Sequence, residues 1–360
     1  MNDLRLNVPP PELKIVLAAC RHAFVNGSQG PLEANQATKR LVHWARRHRV
    51  EAFVSAYLSE REIPVGATVA GELLRDRRRI VEQNMRAAAA SASLVAAFER
   101  SGVDLLFLKG LALAKLVYRD PLLKMGWDID ILVSPDDIKR AAECLRSLGY
   151  ERILPAPRRH PNLARWHVRQ KESTWRHVRD RHHVELHSRL ADNERLIPGL
   201  GMHSPRQQVE VVPGLRLKTL ARDELFAYLC VHGASSAWFR AKWLSDLAGL
   251  IAEADQDEVG ALYRRSQELG AGRAAGQALL LIQHLFGLRL PEALQSRLRQ
   301  SRAHRWLARL AYGQLLDERE PTHRPLGTAM IHIGQLPLKA ESGFAWSEVR
   351  RQVRTAIGNA

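Results

Sequence analysis

The stretch KMGWDIDILV, from Lys124 to Val133, sets two aspartates inside an apolar run that is otherwise typical of a β-strand. Residues i and i+2 of a strand point to the same face and lie about 7 Å apart. Asp128 and Asp130 therefore project together, while Ile129 and Ile131 project into the core. Neighbouring carboxylates repel unless a cation lies between them. The pattern predicts either a site for Mg²⁺, which prefers oxygen ligands, or a solvated or salt-bridged acidic pair.

The segment before this strand predicts a phosphate-binding turn. VDLLFLKG, from Val103 to Gly110, is a short apolar run typical of a buried strand, and LALAKLVY continues as a helix. A helix that begins directly after a strand offers free backbone N–H groups to a phosphate. Gly110 allows close approach of the backbone, and Lys109 supplies a positive charge. The alternative is that the glycine ends the strand for steric reasons alone.

The segment after it supplies a third carboxylate. STWRHV and HHVELHSRL, separated by RDR, predict a β-hairpin. Val184 faces the core, so Glu185 and His187 share the opposite face of the strand. We predict Glu185 as a third metal ligand with His187 supporting it. The alternating set of His183, Glu185 and His187 could instead chelate Zn²⁺.

The order of these elements predicts an α+β protein with a small mixed-sheet core between helical regions. Apolar residues recur at steps of three and four on both sides of the core. The expected organisation is an N-terminal helical region, an α/β core, a C-terminal helical domain and a tail with one helix, AWSEVRRQVRTAI. Their predicted boundaries are 1–100, 101–220, 221–315 and 316–360.

The composition limits the classes of protein to which the chain can belong. The chain has 360 residues, 46% of them hydrophobic, which is enough for a substantial core. Its three cysteines form no C-x-x-C pair, and it has neither a signal-peptide pattern at its start nor an apolar run of about 18 residues. These features predict a cytoplasmic protein without a membrane span. The net charge of +16 suits nucleoside triphosphates, nucleic acid or an acidic membrane surface, or reflects the solubility of an Arg-rich chain.

Two further features have two interpretations each. The segment from Arg158 to His183 contains eight Lys or Arg, five His and two acids, interleaved with Trp166 and Trp175. It is predicted to be either a polyanion-binding loop and hairpin or a solvated surface loop. Trp127, next to Asp128, could stack on a nucleotide base or fill the edge of the core.

The central block resembles a known family. LLFLKGLALAKLVYRDPLLKMGWDIDILVSPDDIKRAAECLRSLGYE, with VELHSRL and CVHGASSAWFRAKWLSDLAGLI further on, is similar to an uncharacterised bacterial nucleotidyltransferase family. That family lies in the DNA polymerase beta-like superfamily, and the resemblance runs from about residue 30 to residue 290. The superfamily usually has Gly-Ser where this chain has Lys109-Gly110, so a serine contact to phosphate is missing.

The resemblance implies a set of site residues. Asp128, Asp130 and Glu185 would be catalytic and would bind Mg²⁺ or Mn²⁺, and Gly110 would contact the triphosphate of ATP or another NTP. We also assign Lys109, Lys124 and His187 to binding of the nucleotide and cation.

The expected function is transfer of NMP from an NTP to an unidentified acceptor, with release of pyrophosphate. The acceptor could be a small molecule such as a sugar phosphate, a peptide, a protein hydroxyl or an RNA end. The main alternative is a non-catalytic protein that keeps this fold and binds RNA or a biosynthetic partner. A metal-dependent hydrolase is the third interpretation.

Overall fold

The computed structural model describes residues 7–25 and 39–358. The chain divides into two compact units. We call the first the helical unit; it comprises Met1–Arg77, Arg195–Pro198 and Phe226–Ala360. The second, which we call the sheet unit, comprises Arg78–Glu194 and Gly199–Leu225.

Within the described residues, four helices precede the sheet. They are α1 (Pro11–Phe24), α2 (Lys39–His48), α3 (Glu51–Glu60) and α4 (Ala67–Arg100). The boundary between the two units falls within α4. The apolar residues of these four helices recur with the helical period, as predicted. Parts of the predicted N-terminal region (residues 1–6 and 26–38) and the last two residues of the predicted tail lie outside the described residues.

The sheet unit alternates short strands and helices. In chain order its elements are β1 (Leu106–Phe107), α5 (Gly110–Val117), β2 (Asp128–Leu132), α6 (Ile138–Ser147), β3 (Tyr150–Leu154), α7 (Leu163–Arg169), β4 (Glu172–His177), β5 (His183–His187), β6 (Arg206–Val212) and β7 (Leu215–Leu220).

Five of these strands form a mixed sheet in the order β1-β2-β5-β4-β3. Strands β2 and β5 are parallel, and the other neighbouring pairs are antiparallel. Strands β6 and β7 form a separate antiparallel hairpin. The predicted α+β class, with a small mixed sheet and flanking helices, is confirmed.

One face of the sheet is apolar and fixes the orientation of the other. Ile129 and Ile131 of β2, Val184 of β5 and Trp175 of β4 belong to one buried cluster, together with Phe98 of α4. Because side chains alternate along a strand, burial of these residues turns their sequence neighbours to the opposite face. The acidic residues of β2 and β5 are among those neighbours.

The structure differs from the prediction in several elements. The run from Val103 to Gly110 pairs as a strand only at Leu106–Phe107. Strand β3 was missed because it lies at the sheet edge, where Glu151 and Arg152 replace an apolar pattern. Helix α7 and the β6–β7 hairpin were also missed. The predicted β4–β5 hairpin is confirmed.

The remaining helices follow β7 in the chain. They are α8 (Arg222–Ser235), α9 (Ala241–Leu250), α10 (Gln256–Glu268), α11 (Gly272–Phe286), α12 (Glu292–Gln300), α13 (Arg302–Leu316), α14 (Gly327–Gln335) and α15 (Phe344–Gly358). Helix α15 confirms the helix predicted in the tail, and α14 was not predicted. Among the described residues, no helix combines the length and apolar character needed to cross a membrane.

Candidate active site

The centre of the candidate site is the contact between β2 and β5. Their parallel register sets Asp130 opposite Glu185 and Asp128 opposite His183. Asp130 is buried, with 3% of its surface exposed. One potential ligand atom from each of Asp130, Glu185 and His187 lies within 4.8 Å of the other two. The structure therefore brings two of the three predicted carboxylates together with the predicted supporting histidine.

Lys109 completes this cluster from the end of β1. The backbone N–H of Leu108 donates to the carbonyl of Asp130 over 3.0 Å, which holds the end of β1 beside β2. From the next position, Lys109 Nζ lies 2.9 Å from Asp130 Oδ1. Burial raises the pKa of Asp130, but the charge of Lys109 and the hydrogen bond with His187 outweigh it and hold that pKa well below its ordinary value. The carboxylate is therefore ionised and paired.

His187 lies between three carboxylates. Its Nε2 is 3.3 Å from Asp130 Oδ1 and 3.6 Å from Glu185 Oε2, and its Nδ1 is 3.4 Å from Glu172 Oε2. Burial lowers the pKa of His187, but the neighbouring carboxylates of Asp130 and Glu185 outweigh burial and raise the pKa above its ordinary value. The imidazole bridges the two opposed carboxylates.

Glu172 is a member of this cluster that the sequence analysis missed. It is the first residue of β4, and the antiparallel register sets it opposite His187. It also forms an ion pair with Lys171. Burial raises the pKa of Glu172, and the charges of Lys171 and His187 reverse this and lower it. The predicted strand began at Ser173, one residue too late, and counting the hairpin register outward from the turn would have reached Glu172.

Glu185 has a raised pKa because it is partly buried and lies near other carboxylates. Burial raises its pKa, and the charges of Asp130, Glu172 and Asp128 raise it further, against a lowering contact with His187. Asp128 is therefore near enough to act on Glu185 electrostatically, but its carboxylate is not among the three ligand atoms that lie within 4.8 Å of one another. The site has a compact group of two carboxylates, with Asp128 beside it.

The other two predicted binding residues, Gly110 and Lys124, both precede β2 in the chain. Gly110 is the first residue of α5 and has a left-handed φ of +62°, with no atom within 4 Å of a Cβ built on it. The space beside its Cα is open, as an approach of a ligand to the backbone requires. Lys124 has a buried side chain, and its carbonyl accepts a hydrogen bond from Asn84 Nδ2 over 2.8 Å. This hydrogen bond holds the turn before β2.

The aromatic residues near the site differ in their burial. Trp127 is 47% exposed, and the guanidinium of Arg79 lies 5.8 Å from its ring centroid. The interpretation that Trp127 fills the core edge is therefore wrong. Trp175 is fully buried, and Trp166 donates its indole N–H to the carbonyl of Glu172 over 2.8 Å. These two tryptophans are structural.

The Arg- and His-rich segment is largely ordered into secondary structure. It contains α7 and β4, so the prediction that the whole segment is a surface loop is wrong. The zinc set proposed on one strand is also not the set that the structure assembles, because Asp130 stands with Glu185 and His187 in place of His183.

Comparison with known proteins identifies the family of the chain. A search of curated proteins finds no match to the chain. The sequence pattern of one family, described as uncharacterised nucleotidyltransferase, matches residues 34–287. This match covers more than half of the chain and includes every candidate site residue from Lys109 to His187. The chain belongs to the family of uncharacterised nucleotidyltransferases.

Proposed function

We propose that the chain is a metal-dependent nucleotidyltransferase of the DNA polymerase beta-like superfamily. It transfers NMP from an NTP to an acceptor and releases pyrophosphate. Membership of the family supports nucleotidyl transfer. The observation that carries the rest is the pairing of Asp130 with Glu185 across two parallel strands, beside the Lys109-Gly110 start of α5. Free, buried cysteines suit the cytoplasmic location that belongs to this proposal.

The donor set fits a hard divalent cation. Asp130 and Glu185, with Asp128 beside them, would hold Mg²⁺ or Mn²⁺ through carboxylate oxygens. Burial, and after it the charges of Asp130, Glu172 and Asp128, raise the pKa of Glu185, and a bound cation would neutralise part of that negative charge. When bound, such a cation supplies charge stabilisation for the triphosphate and for the departing pyrophosphate.

Lys109 would have two partners in turn. Without a nucleotide its ammonium neutralises Asp130 at 2.9 Å. It stands as the N-cap residue of α5, where the first backbone N–H groups of the helix have no helical partner. A triphosphate bound at these groups would offer Lys109 oxygen atoms that carry more charge than one carboxylate. Lys109 would then bind the phosphates, and Asp130 would be released for the cation.

His187 would position the two carboxylates. Its side chain is 2% exposed, its Nε2 is hydrogen-bonded to Asp130 and lies 3.6 Å from Glu185, and its Nδ1 lies 3.4 Å from a carboxylate oxygen of Glu172. Such a network limits the rotation of each carboxylate before any ligand binds. The pairing of Lys171 with Glu172 fixes the outer end of the network.

The proposal is tested with NTPs labelled at the α- or the γ-phosphate, in Mg²⁺ or Mn²⁺, with sugar-phosphate, peptide and RNA acceptors. We expect label from the α-phosphate to reach an acceptor while the γ-phosphate leaves in pyrophosphate. Asp130→Asn should abolish the transfer, and Asp136→Asn, at an exposed aspartate six positions away, should not change it. Release of inorganic phosphate alone would indicate a hydrolase, and absence of any turnover with every acceptor would contradict the proposal.

A second candidate is a non-catalytic protein that binds RNA or a biosynthetic partner. The observation in its favour is that Lys109 and His187 already contact Asp130 Oδ1, so positively charged or hydrogen-bonding groups of the chain occupy the position of a cation. The departure from Gly-Ser at Lys109-Gly110 also favours it. It predicts RNA binding that needs no divalent cation and that Asp130→Asn leaves intact, together with no pyrophosphate release.

A further inference from the structure

A second group of potential metal ligands lies at the turn between β4 and β5. One potential ligand atom from each of His177, Asp180 and His182 lies within 4.8 Å of the other two. The three residues follow an H-x-x-D-x-H pattern around the turn. They share no residue with the acidic cluster of Asp130, Glu185 and His187.

The Nδ1 atom of His177 faces a carboxylate, and its lone pair accepts one backbone N–H that a bound metal would displace. His177 Nε2 donates to the carbonyl of Leu148 over 3.1 Å. Its Nδ1 accepts the backbone N–H of Asp180 over 3.2 Å, so Nδ1 carries no proton in this arrangement. The same Nδ1 lies 3.0 Å from Asp180 Oδ2. Two acceptors at this separation repel each other unless a proton or a cation lies between them.

His182 offers a second ring nitrogen. Its Nε2 is hydrogen-bonded to the hydroxyl of Tyr150. Its Nδ1 is buried and has no hydrogen-bond partner within the described parts of the chain. The rings of His182 and His177 stack with centroids 5.2 Å apart and an interplanar angle of 16°.

We propose that His177, Asp180 and His182 bind a divalent transition-metal cation, with Zn²⁺ the ion that best fits this donor set. Two imidazole nitrogens and one carboxylate oxygen are typical zinc ligands, and water would take the fourth position. Two ligands of a tetrahedral Zn²⁺ lie about 3.3 Å apart, close to the 3.0 Å between His177 Nδ1 and Asp180 Oδ2.

The outer contacts of the two histidines support this assignment. A histidine that binds a metal usually donates its other ring N–H to a carbonyl or another oxygen. Leu148 provides such a carbonyl for His177, and the Tyr150 hydroxyl provides such an oxygen for His182. Three arginines of the same segment, Arg176, Arg179 and Arg181, add positive charge that repels a bound cation. Two of them, Arg179 and Arg181, are exposed, where solvent ions screen their effect.

A cation here would act on the hairpin that carries the proposed active site. His177 ends β4, His182 precedes β5, and Tyr150 begins β3. A metal bound by the turn would tie the ends of β4 and β5 together and stabilise the strand on which Glu185 and His187 lie. The zinc site would be structural and would lie at the turn of the hairpin that carries Glu185 and His187.

Zn²⁺ titration of the full chain by calorimetry, in excess Mg²⁺ to occupy the oxygen-rich cluster, tests the proposal. We expect one Zn²⁺ to bind, with affinity at least about tenfold weaker in Asp180→Asn and His182→Gln. Asp180 has a side chain that is 59% exposed, so Asp180→Asn should fold normally. Tyr150→Phe, which removes only the outer hydroxyl, should weaken binding about ten- to hundredfold.

Two controls separate this site from others. His203→Ala removes an exposed histidine of the same unit and should leave Zn²⁺ affinity unchanged. Asp130→Asn should also leave it unchanged, because that residue belongs to the other cluster. Zn²⁺ should raise the melting temperature of the unmodified protein and not that of Asp180→Asn. Absence of Zn²⁺ binding, or equal binding in the unmodified protein, Asp180→Asn and His182→Gln, would overturn the proposal.

Discussion

Replacement of Lys109 by methionine removes the counterion of Asp130 while keeping most of the side-chain volume. The two charged atoms are 2.9 Å apart, and the two side chains are 17% and 2% exposed. At an effective dielectric constant of about 20, such charges attract by about 6 kcal/mol. The loss of attraction is partly offset by rehydration or protonation of the carboxylate. Removing one partner of a buried pair therefore costs about 3–5 kcal/mol.

Hydrogen exchange of the peptide from Lys124 to Val133, measured without divalent cations, reports this loss at β2. A cost of about 3 kcal/mol corresponds to exchange that is at least about 100-fold faster. Mg²⁺ should restore part of the protection, since it replaces the missing positive charge. Lys115→Met, at an exposed position of α5, is the matched control and should change stability by less than about 0.5 kcal/mol.

A double-mutant cycle separates the loss of the ion pair from other effects of Lys109→Met. In an Asp130→Asn background the Lys109→Met change no longer leaves a buried charge, and its cost should fall below about 1 kcal/mol. An equal cost of Lys109→Met in both backgrounds would show that the ion pair is not the source of the stability. If the peptide from Lys124 to Val133 exchanges in Lys109→Met at a rate within about threefold of the rate in the unmodified protein, the expected cost of about 3 kcal/mol is wrong.

Three further outcomes are expected. Burial lowers the pKa of His167 to about 4, below the ordinary value of 6.5 in the unfolded chain. The sheet unit should therefore lose up to about 3 kcal/mol of stability as the pH falls from 6.5 through 4. Histidine NMR should show no titration of this ring above about pH 5. Gly110→Ala should destabilise the protein by about 1–2 kcal/mol in thermal melting, since only the left-handed backbone and no clash opposes the methyl group. Trp127→Ala should weaken NTP binding about tenfold in calorimetry, because an exposed ring beside Asp128 is available to stack on a base.

Each of these outcomes has a control. A His167 ring that titrates near 6.5 would contradict the assigned burial effect. Gly199→Ala, at a glycine with equal open space and no left-handed φ, should be nearly neutral, and an equal loss there would remove the backbone argument. Trp346→Ala, at a tryptophan that is 72% exposed and lies in the other unit, should leave NTP affinity unchanged.

The sequence was most informative where local chemistry and local structure coincide. Asp128 and Asp130 were predictable as neighbours on one strand face because the strand period is two. The start of α5 at Gly110 and the β4–β5 hairpin were predictable from glycine and turn signals. The grouping of Glu185 with Asp130 rests on the pairing of β2 with β5, which only the sheet order establishes.

Features set by tertiary contact escaped the sequence analysis. The ion pair of Lys109 with Asp130 depends on the antiparallel approach of β1 to β2, and a strand of two residues gives no pattern that fixes its direction. Glu172 entered the site through its register with His187. Trp175 is indistinguishable from a base-stacking residue until its burial is known.

The most direct test of the proposed active site measures Mn²⁺ binding by electron paramagnetic resonance, with and without ATP. If Asp130 and Glu185 hold the cation that holds the triphosphate, ATP should tighten Mn²⁺ binding at least about tenfold, a coupling of about 1.4 kcal/mol. Glu185→Gln should abolish this coupling, and Glu151→Gln, at an exposed position of β3, should retain it. Coupling of the same size in Glu185→Gln, or its absence from the unmodified protein, would contradict the assignment of this cluster as the nucleotidyltransferase site.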